Sequence, residues 1–581
     1  MSRPSSPNQL ADPPRRDVPV SDLVERHGVG WVWIRKPIVA GALLLLTYVG
    51  LSLLMSPNGF LGTDTGGKVA TLKVMADRHD LNPDIGYWAN EWDPSARVHG
   101  MYFTSRVGNR FVNVTSLPMV IAAEPLYRLG GYRFVLVLPM AGSMLAAFAA
   151  RGISRRIRPG DGWIAFWLVG LASPMTIYAL DFWEHSLGAA LLAWAAIALW
   201  DFLNQRCTWL RSLAVGALIG AAFAMRTEAL AYGFVMVVLA GAYLALRRRE
   251  VRHALVLGIG AVSGLALLVA ANWVLELMVL GSSVRSGRAA SAVTGGGASV
   301  GSRLNEAFVT LFSPVPTAGA QAFLLGAVLT LALAGIVWCT AHRRGELVAS
   351  GLAAVAIVIY LIRFADGVGF VPGLVAASPV AVVAIVLGWN RGASRFFVLM
   401  AIGPLPVVFA FAYLGGALPQ WAGRYLLTTG LILVSVGAAH LSDLVQWARR
   451  FFVFLAVAVT VFGLLWLSIR SHEIERAANN LENRSEAVLI SPDGFVPREF
   501  GATYGRKPWL ATGSDDDLRF AVGVVAASGK ETFAIVDLDT NATPPSFSGW
   551  VAGVSELVPY LDGAPLRVTS YSRVLGATLD G

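Results

Sequence analysis

Charge is scarce in this chain. Only 14% of its 581 residues are charged, while 55% are hydrophobic and the mean hydropathy is +0.59. A soluble domain carries about 25% charged residues, so a water-soluble globular enzyme is excluded as the main architecture. Cysteine is almost missing as well. Cys207 falls in an expected cytoplasmic loop and Cys339 near a cytoplasmic helix end, which rules out a disulfide framework. There is no Walker loop, no HExxH and no GxSxG in a strand–turn–helix setting. His79, His99 and His185 are expected outside the cytoplasm but lack metal-ligand spacing. No internal repeat stands out, and no cleavable signal peptide is visible. Residues 1–36 are rich in Pro, Ser and Arg and read as a disordered cytoplasmic tail.

What the chain has instead is long apolar runs, from residue 37 to residue 470. A run of about 20 apolar residues crosses a ~30 Å hydrocarbon core as a helix. The runs are continuous rather than alternating, so helices and not a barrel span the membrane. We count about thirteen spans: 37–56, 132–152, 162–180, 186–203, 211–228, 229–246, 254–275, 322–341, 347–363, 371–388, 395–414, 424–443 and 451–470. Arginine clusters follow the second span (Arg151, Arg155, Arg156, Arg158) and the sixth (Arg247, Arg248, Arg249, Arg252). Others follow the eighth (Arg343, Arg344), tenth (Arg391, Arg395) and twelfth (Arg449, Arg450). All fall on one side, that of the basic N-terminus, as the positive-inside rule requires. The net charge of +9 therefore marks topology rather than a nucleic-acid partner. The odd span count places 57–131, 276–321 and 471–581 outside.

The expected fold class is thus an all-α polytopic protein of the plasma membrane, with a small extracytoplasmic α/β domain at 471–581. In that domain AVLIS (487–491) and FAIVDL (533–538) read as buried strands flanking a helix over 515–528. VNVTSLPMVIAAEPLYRLGG (112–131) carries Glu124, Pro125 and Arg128, and reads as an amphipathic helix lying in the interface.

The chemistry concentrates at outer helix ends. GTDTGGK (62–68) places Asp64 and Lys68 just past the first span. Asp64 either caps a helix over 65–78 or acts as a base. ALDFWEHS (179–186) packs Asp181, Glu184 and His185 into a short turn, where ionisable groups near hydrocarbon are costly. AMRTEAL (224–230) supplies Arg226 and Glu228, two apart and so pointing apart on a helix, which leaves Arg226 for a separate anionic partner. PQWAGRYLL (419–427) adds Trp421, Arg424 and Tyr425, and LIRFADG (361–367) adds Arg363 and Asp366. Arginine's planar fork suits phosphate, and a carboxylate suits deprotonation of a hydroxyl. A lipid-linked phosphate with a hydroxyl acceptor satisfies both.

Over residues 37–445 this order of elements resembles the GT-C superfamily of polyprenyl-phosphate-sugar-dependent glycosyltransferases, in the style of actinobacterial envelope enzymes. The resemblance is carried by Asp64 at the start of the first outer loop and by LPMVIAAEPLYRLGG (117–131). FAARGISRRI (148–157), SPMTIYALDFWEHSLGAALL (173–192) and GALIGAAFAMRTEAL (216–230) extend it. It implies an inverting glycosyltransferase with Asp64 as general base and Asp181 or Glu184 placing acceptor or base. Arg226, Arg424 and Lys68 would hold the donor phosphate, and His185, Glu228, Trp421 and Tyr425 would contact substrate. The implied partners are a polyprenyl-phosphate sugar donor, a glycan, lipid or protein acceptor, and membrane lipid. No cofactor is fixed, and a divalent metal stays open because the first loop has Asp-Thr-Gly-Gly-Lys where many relatives have an acidic pair. The rival readings are a flippase for a lipid-linked glycan and a non-catalytic envelope assembly protein. A flippase calls for midplane charges and repeated halves.

Overall fold

The computed structural model describes residues 36–60, 62–113, 116–160, 162–204, 208–282, 299–316, 319–390, 392–411 and 421–574. The expected N-terminal tail and Cys207 lie outside them. The chain divides into two units, Met1–Leu43 and Leu44–Gly581.

Nine helices among the described residues are long and apolar enough to cross a membrane. Each lies on one of the expected spans. Three shorter apolar helices, Pro37–Ser52, Gly162–Leu171 and Trp209–Met225, fall on three more. The remaining stretch, 371–388, is split into Leu374–Ala377 and Val380–Leu387. Pro379 between them lacks the N–H a continuous helix needs.

Two layers of polar contacts mark opposite ends of these helices. At one end, Arg156 reaches Asp201 at 2.5 Å and Arg158 reaches Asp443 at 2.5 Å. At the other lie His185, which opens the helix His185–Asn204, and Arg226, which closes Trp209–Met225. Arg424 joins them in the turn that leads into Leu427–His440.

The C-terminal segment forms a five-stranded sheet. Its strands are β3 (Val488–Ser491), β4 (Trp509–Ala511), β5 (Thr532–Asp537), β6 (Trp550–Pro559) and β7 (Pro565–Arg573). Their order is β4-β3-β5-β7-β6. β3 is parallel to both β4 and β5, while β7 runs antiparallel to β5 and β6. All four residues of β3 are buried, as a central parallel strand demands. The helix Asp515–Ala527 follows Ser514, whose hydroxyl accepts from the Asp517 N–H. Three aspartates in its first turn complement the helix dipole.

This sheet is not built from its own segment alone. The helix Gln446–Glu482 runs unbroken for 37 residues through the boundary expected at 470. Its last turns bury Ile474, Ala477, Ala478 and Leu481 against one sheet face. A fully buried Ile or Leu contributes about 1.5–3 kcal/mol. The opposite face takes Ala89 and Val98 of the first outer loop into its core. The Trp88 indole donates to the Trp509 carbonyl at 3.0 Å, and the Ala511 N–H to the Val98 carbonyl at 3.2 Å. The outer loop, which includes a two-stranded hairpin of β1 (Ser105–Val107) and β2 (Arg110–Val112), is thereby part of the sheet domain. The stretch expected as an interfacial helix over 112–131 is helical over Leu117–Val135, broken at Gly130 and Gly131.

The orientation that the arginine clusters imply has a direct test. Ala527 is exposed at the end of its helix. In a chain lacking Cys207 and Cys339, Ala527→Cys is expected to react with an impermeant maleimide on intact cells. Labelling only after lysis would reverse the assigned topology.

Candidate active site

Four segments meet where the helix Thr63–Arg78 begins. Gly62 is its N-cap, and no side chain caps it. Asp64 is therefore not the cap that the sequence allowed, and the helix starts two residues earlier than expected. The Asp64 carboxylate instead takes two arginines. Arg424 donates to Oδ2 at 2.9 Å and Arg498 to Oδ1 at 2.9 Å. Burial alone would raise this carboxyl, but Arg498, Arg424, Arg226 and Lys68 outweigh it and hold Asp64 well below the usual carboxylate range.

Lys68 lies one helical turn on, on the same face. Its ammonium donates to Glu184 Oε2 at 2.5 Å, and neither side chain has more than 1% exposure. Lys68, expected as a phosphate ligand, is thus enclosed with Glu184. Glu184 Oε1 accepts from Arg226 at 3.1 Å. Burial pushes the Glu184 carboxyl up, yet Lys68 and Arg226 bring it below its ordinary value. Asp181 is equally occupied: Tyr132 donates to Oδ1 at 2.7 Å and Thr65 to Oδ2 at 2.9 Å. With 1% exposure, it ties the turn to the helix Thr63–Arg78 through Thr65.

Arg226 and Glu228 do pair, at 3.0 Å, contrary to the expectation from helical spacing. The helix ends at Met225 and Arg226 is extended (φ −139°, ψ 132°), so the following turn swings Glu228 back onto it. Arg424 is aimed by another local feature. Ala422 and Gly423 both adopt positive φ, 63° and 66°, a conformation that suits the glycine and strains the alanine. The Ala422 N–H donates to the Pro372 carbonyl at 2.8 Å and so secures the turn.

A small cavity of about 10 Å³ lies beside these groups, lined by His185, Arg226, Glu228, Arg424, Tyr425 and Thr428 together with Gly188, Ala189, Leu192, Ala229 and Leu427. The Tyr425 ring lies 5.5 Å from the Arg226 guanidinium and 5.2 Å from that of Arg424. Both His185 nitrogens, Arg424 Nε and Glu228 Oε2 are buried with no protein partner. Buried polar atoms of this kind call for a ligand or water. Two arginines, a histidine and an aromatic wall suit an anion carrying an apolar group.

Asp64, Asp181, Glu184, Lys68, Arg226, Arg424, His185, Glu228 and Tyr425 are thus brought into one connected cluster. Trp421, expected to contact substrate, is buried in this structure. It is 1% exposed and packs on Phe370 and Trp466, while its carbonyl accepts from the Tyr178 hydroxyl at 3.0 Å. Arg363 pairs with Asp366 and bonds to the Pro314 and Gly369 carbonyls, away from the site. His99 is packed between Tyr87 and Phe111 within the outer loop. Among the described residues no three His, Cys, Asp or Glu side chains are grouped to hold a metal ion.

Sequence reasoning missed Arg498. It lies in the short helix Phe495–Glu499 of the C-terminal segment and is 1% exposed. The approach is close enough to need glycine. A Cβ on Gly66 would stand 1.9 Å from the Arg498 carbonyl oxygen, and one on Gly501 would stand 1.9 Å from that of Gly66. No motif surrounds Arg498, and 434 positions separate it from Asp64.

No family model matches the chain, and no curated protein matches it. Among solved structures it is similar to the Archaeoglobus fulgidus oligosaccharyltransferase in the apo form, at 11% identity and TM-score 0.46, over 86% of this chain and 70% of that one. It is similar to the same organism's oligosaccharyltransferase AglB in complex with an inhibitory peptide and a dolichol-phosphate, at 11% identity and TM-score 0.46, over 87% and 70%. It is also similar to ArnT from Cupriavidus metallidurans bound to undecaprenyl phosphate, at 14% identity and TM-score 0.36, over 94% and 99%.

The buried Lys68–Glu184 pair yields an expectation about stability. Removing one partner leaves an uncompensated buried charge, which costs about 3–5 kcal/mol. Glu184→Gln is therefore expected to lower the thermal unfolding midpoint strongly. Adding Lys68→Met should recover most of the loss, and a double variant no better than the single would refute this account.

Proposed function

We propose that the chain is an inverting glycosyltransferase that moves a sugar from a polyprenyl-phosphate donor to a hydroxyl acceptor at the outer face of the membrane. The observation that carries this reading is Arg424, which pairs with Asp64 and at the same time lines a cavity of unpartnered polar atoms. A carboxylate base and a phosphate-binding arginine in direct contact are what displacement at a glycosyl phosphate requires. The sequence resemblance to GT-C glycosyltransferases points the same way.

In this reading the donor phosphate enters the cavity between Arg226 and Arg424, with Tyr425 against its prenyl or sugar part. His185 and the Arg424 Nε supply further hydrogen-bonding atoms. Asp64 accepts the acceptor's hydroxyl proton, the acceptor oxygen bonds to the anomeric carbon, and the carbon–phosphate oxygen bond breaks on the far side. The prenyl phosphate departs with the electron pair, its charge met by the arginines. Asp181 and the Lys68–Glu184 pair hold the helix Thr63–Arg78 at the distance this needs.

Incubating the purified protein with a radiolabelled polyprenyl-phosphate sugar and a membrane extract tests the activity. Transfer of label to a new product is expected. Donor crossing vesicles without product would support a flippase instead. Asp64→Asn cannot accept the proton and is expected to lower transfer at least ~10²-fold, the low end of general-base contributions. It leaves the buried Arg498 and Arg424 without their shared carboxylate, so its unfolding midpoint is expected to fall and transfer is compared at equal folded fraction. Near-normal transfer by this variant removes Asp64 from the mechanism.

A further inference from the structure

One carboxylate is shared by two arginines that differ in freedom. Arg498 is enclosed: its Nε donates to Asn113 Oδ1 at 3.3 Å, Nη1 also approaches Thr63 Oγ1 at 3.4 Å, and the guanidinium stands 5.2 Å from the Phe103 ring. The next residue, Glu499, is tied to Arg470 at 2.8 Å and to the Tyr560 hydroxyl, which anchors the short helix to the sheet domain. Arg424, by contrast, lines the cavity and keeps its Nε without a partner. Each arginine holds a different Asp64 oxygen.

We propose that Arg498 is a positioning residue supplied by the C-terminal domain, which keeps Asp64 oriented through Oδ1, while Arg424 blocks Oδ2 until the donor phosphate draws Arg424 into the cavity. This rests on the proposed roles of Asp64 as base and Arg424 as phosphate ligand. Donor binding then precedes proton abstraction. With Arg424 on the phosphate, Oδ2 is free to take the acceptor's proton, and Arg498 still fixes the carboxylate plane. Without donor, Asp64 is doubly paired and cannot accept a proton, so an acceptor alone is not activated. The charges facing Asp64 are Arg498 and Arg424 in contact, with Arg226, Lys68 and Glu184 beyond them. Each arginine in contact lowers the carboxylate's proton affinity, so each one lost raises it.

The device makes Asp64 a competitor of the phosphate for Arg424, and that is measurable without turnover. Binding of a polyprenyl phosphate alone to the detergent-purified full chain is the readout. Asp64→Asn is expected to bind it about tenfold tighter than wild type, as expected when one charge-assisted contact stops competing, and Arg424→Ala is expected to lose most binding. In transfer assays, kcat/KM reports ionisation of the free enzyme. A base must be ionised, so its rate falls as pH drops through its pKa. Arg498→Gln is expected to move that acid limb up toward the ordinary carboxylate value of about 3.9, and Arg498→Lys to restore it. Unchanged lipid affinity in Asp64→Asn, or an Arg498→Gln limb that coincides with wild type, overturns the proposal. If Arg498→Gln does not fold, the Asp64→Asn binding measurement decides by itself. Wild type that binds no polyprenyl phosphate, or Arg424→Ala that binds it normally, overturns the transferase reading first and this inference with it.

Discussion

Buried charge is tolerated here only because it is paired, and the structure around the site depends on that pairing. Asp64, Asp181, Glu184 and Glu228 meet Lys68, Arg226, Arg424 and Arg498 within one cluster. Three of the carboxylates are each held by at least one cation, and Asp181 is held by two hydroxyls. An isolated charge in such surroundings costs several kcal/mol, which neither helix propensity nor packing at one residue could offset. The positions of five chain segments are therefore set by mutual charge compensation. Four of these lie at helix ends, the first outer loop, the 179–186 turn, Arg226 with Glu228, and Arg424. The fifth is the C-terminal segment with Arg498.

Pairing also explains why the outer loop and the sheet domain share a core. Arg498 can reach Asp64 only if the segment carrying it lies against the helix Thr63–Arg78, and Gly66 and Gly501 permit that approach. Val98 and Trp88 then complete the contact on the sheet side. The site is thus assembled from both ends of the sequence, with the membrane helices between them.

Much of this was legible in the sequence, and the reason is contrast. In a chain with so few charges, Asp64, Glu184, Arg226 and Arg424 stand out at the ends of apolar runs, and the runs themselves delimit helices. The strands over 488–491 and 532–537 and the helix Asp515–Ala527 were visible through their change of period. Arg498 was not, because the C-terminal segment has an ordinary soluble composition in which one arginine carries no signal. The fate of Lys68 was hidden for a different reason. Whether a lysine faces a ligand or a buried glutamate depends on a partner 116 positions away. Trp421 was expected to contact substrate, and only the packing of Phe370 and Trp466 around it shows that it is core.

The helix Gln446–Glu482 has a mechanical consequence. At 1.5 Å per residue its 37 residues measure about 55 Å, against a hydrocarbon core of ~30 Å. The surplus is a strut of continuous helix whose last turns pack on the sheet. Membrane thickness acts on such a strut as a lever does, since a mismatched bilayer is accommodated by tilting it. Because the sheet shares its core with the loop that carries Asp64, the strut carries Arg498 and Asp64 as one body. A tilt of the helix thus turns the two residues together and leaves the distance between them to the packing of loop on sheet.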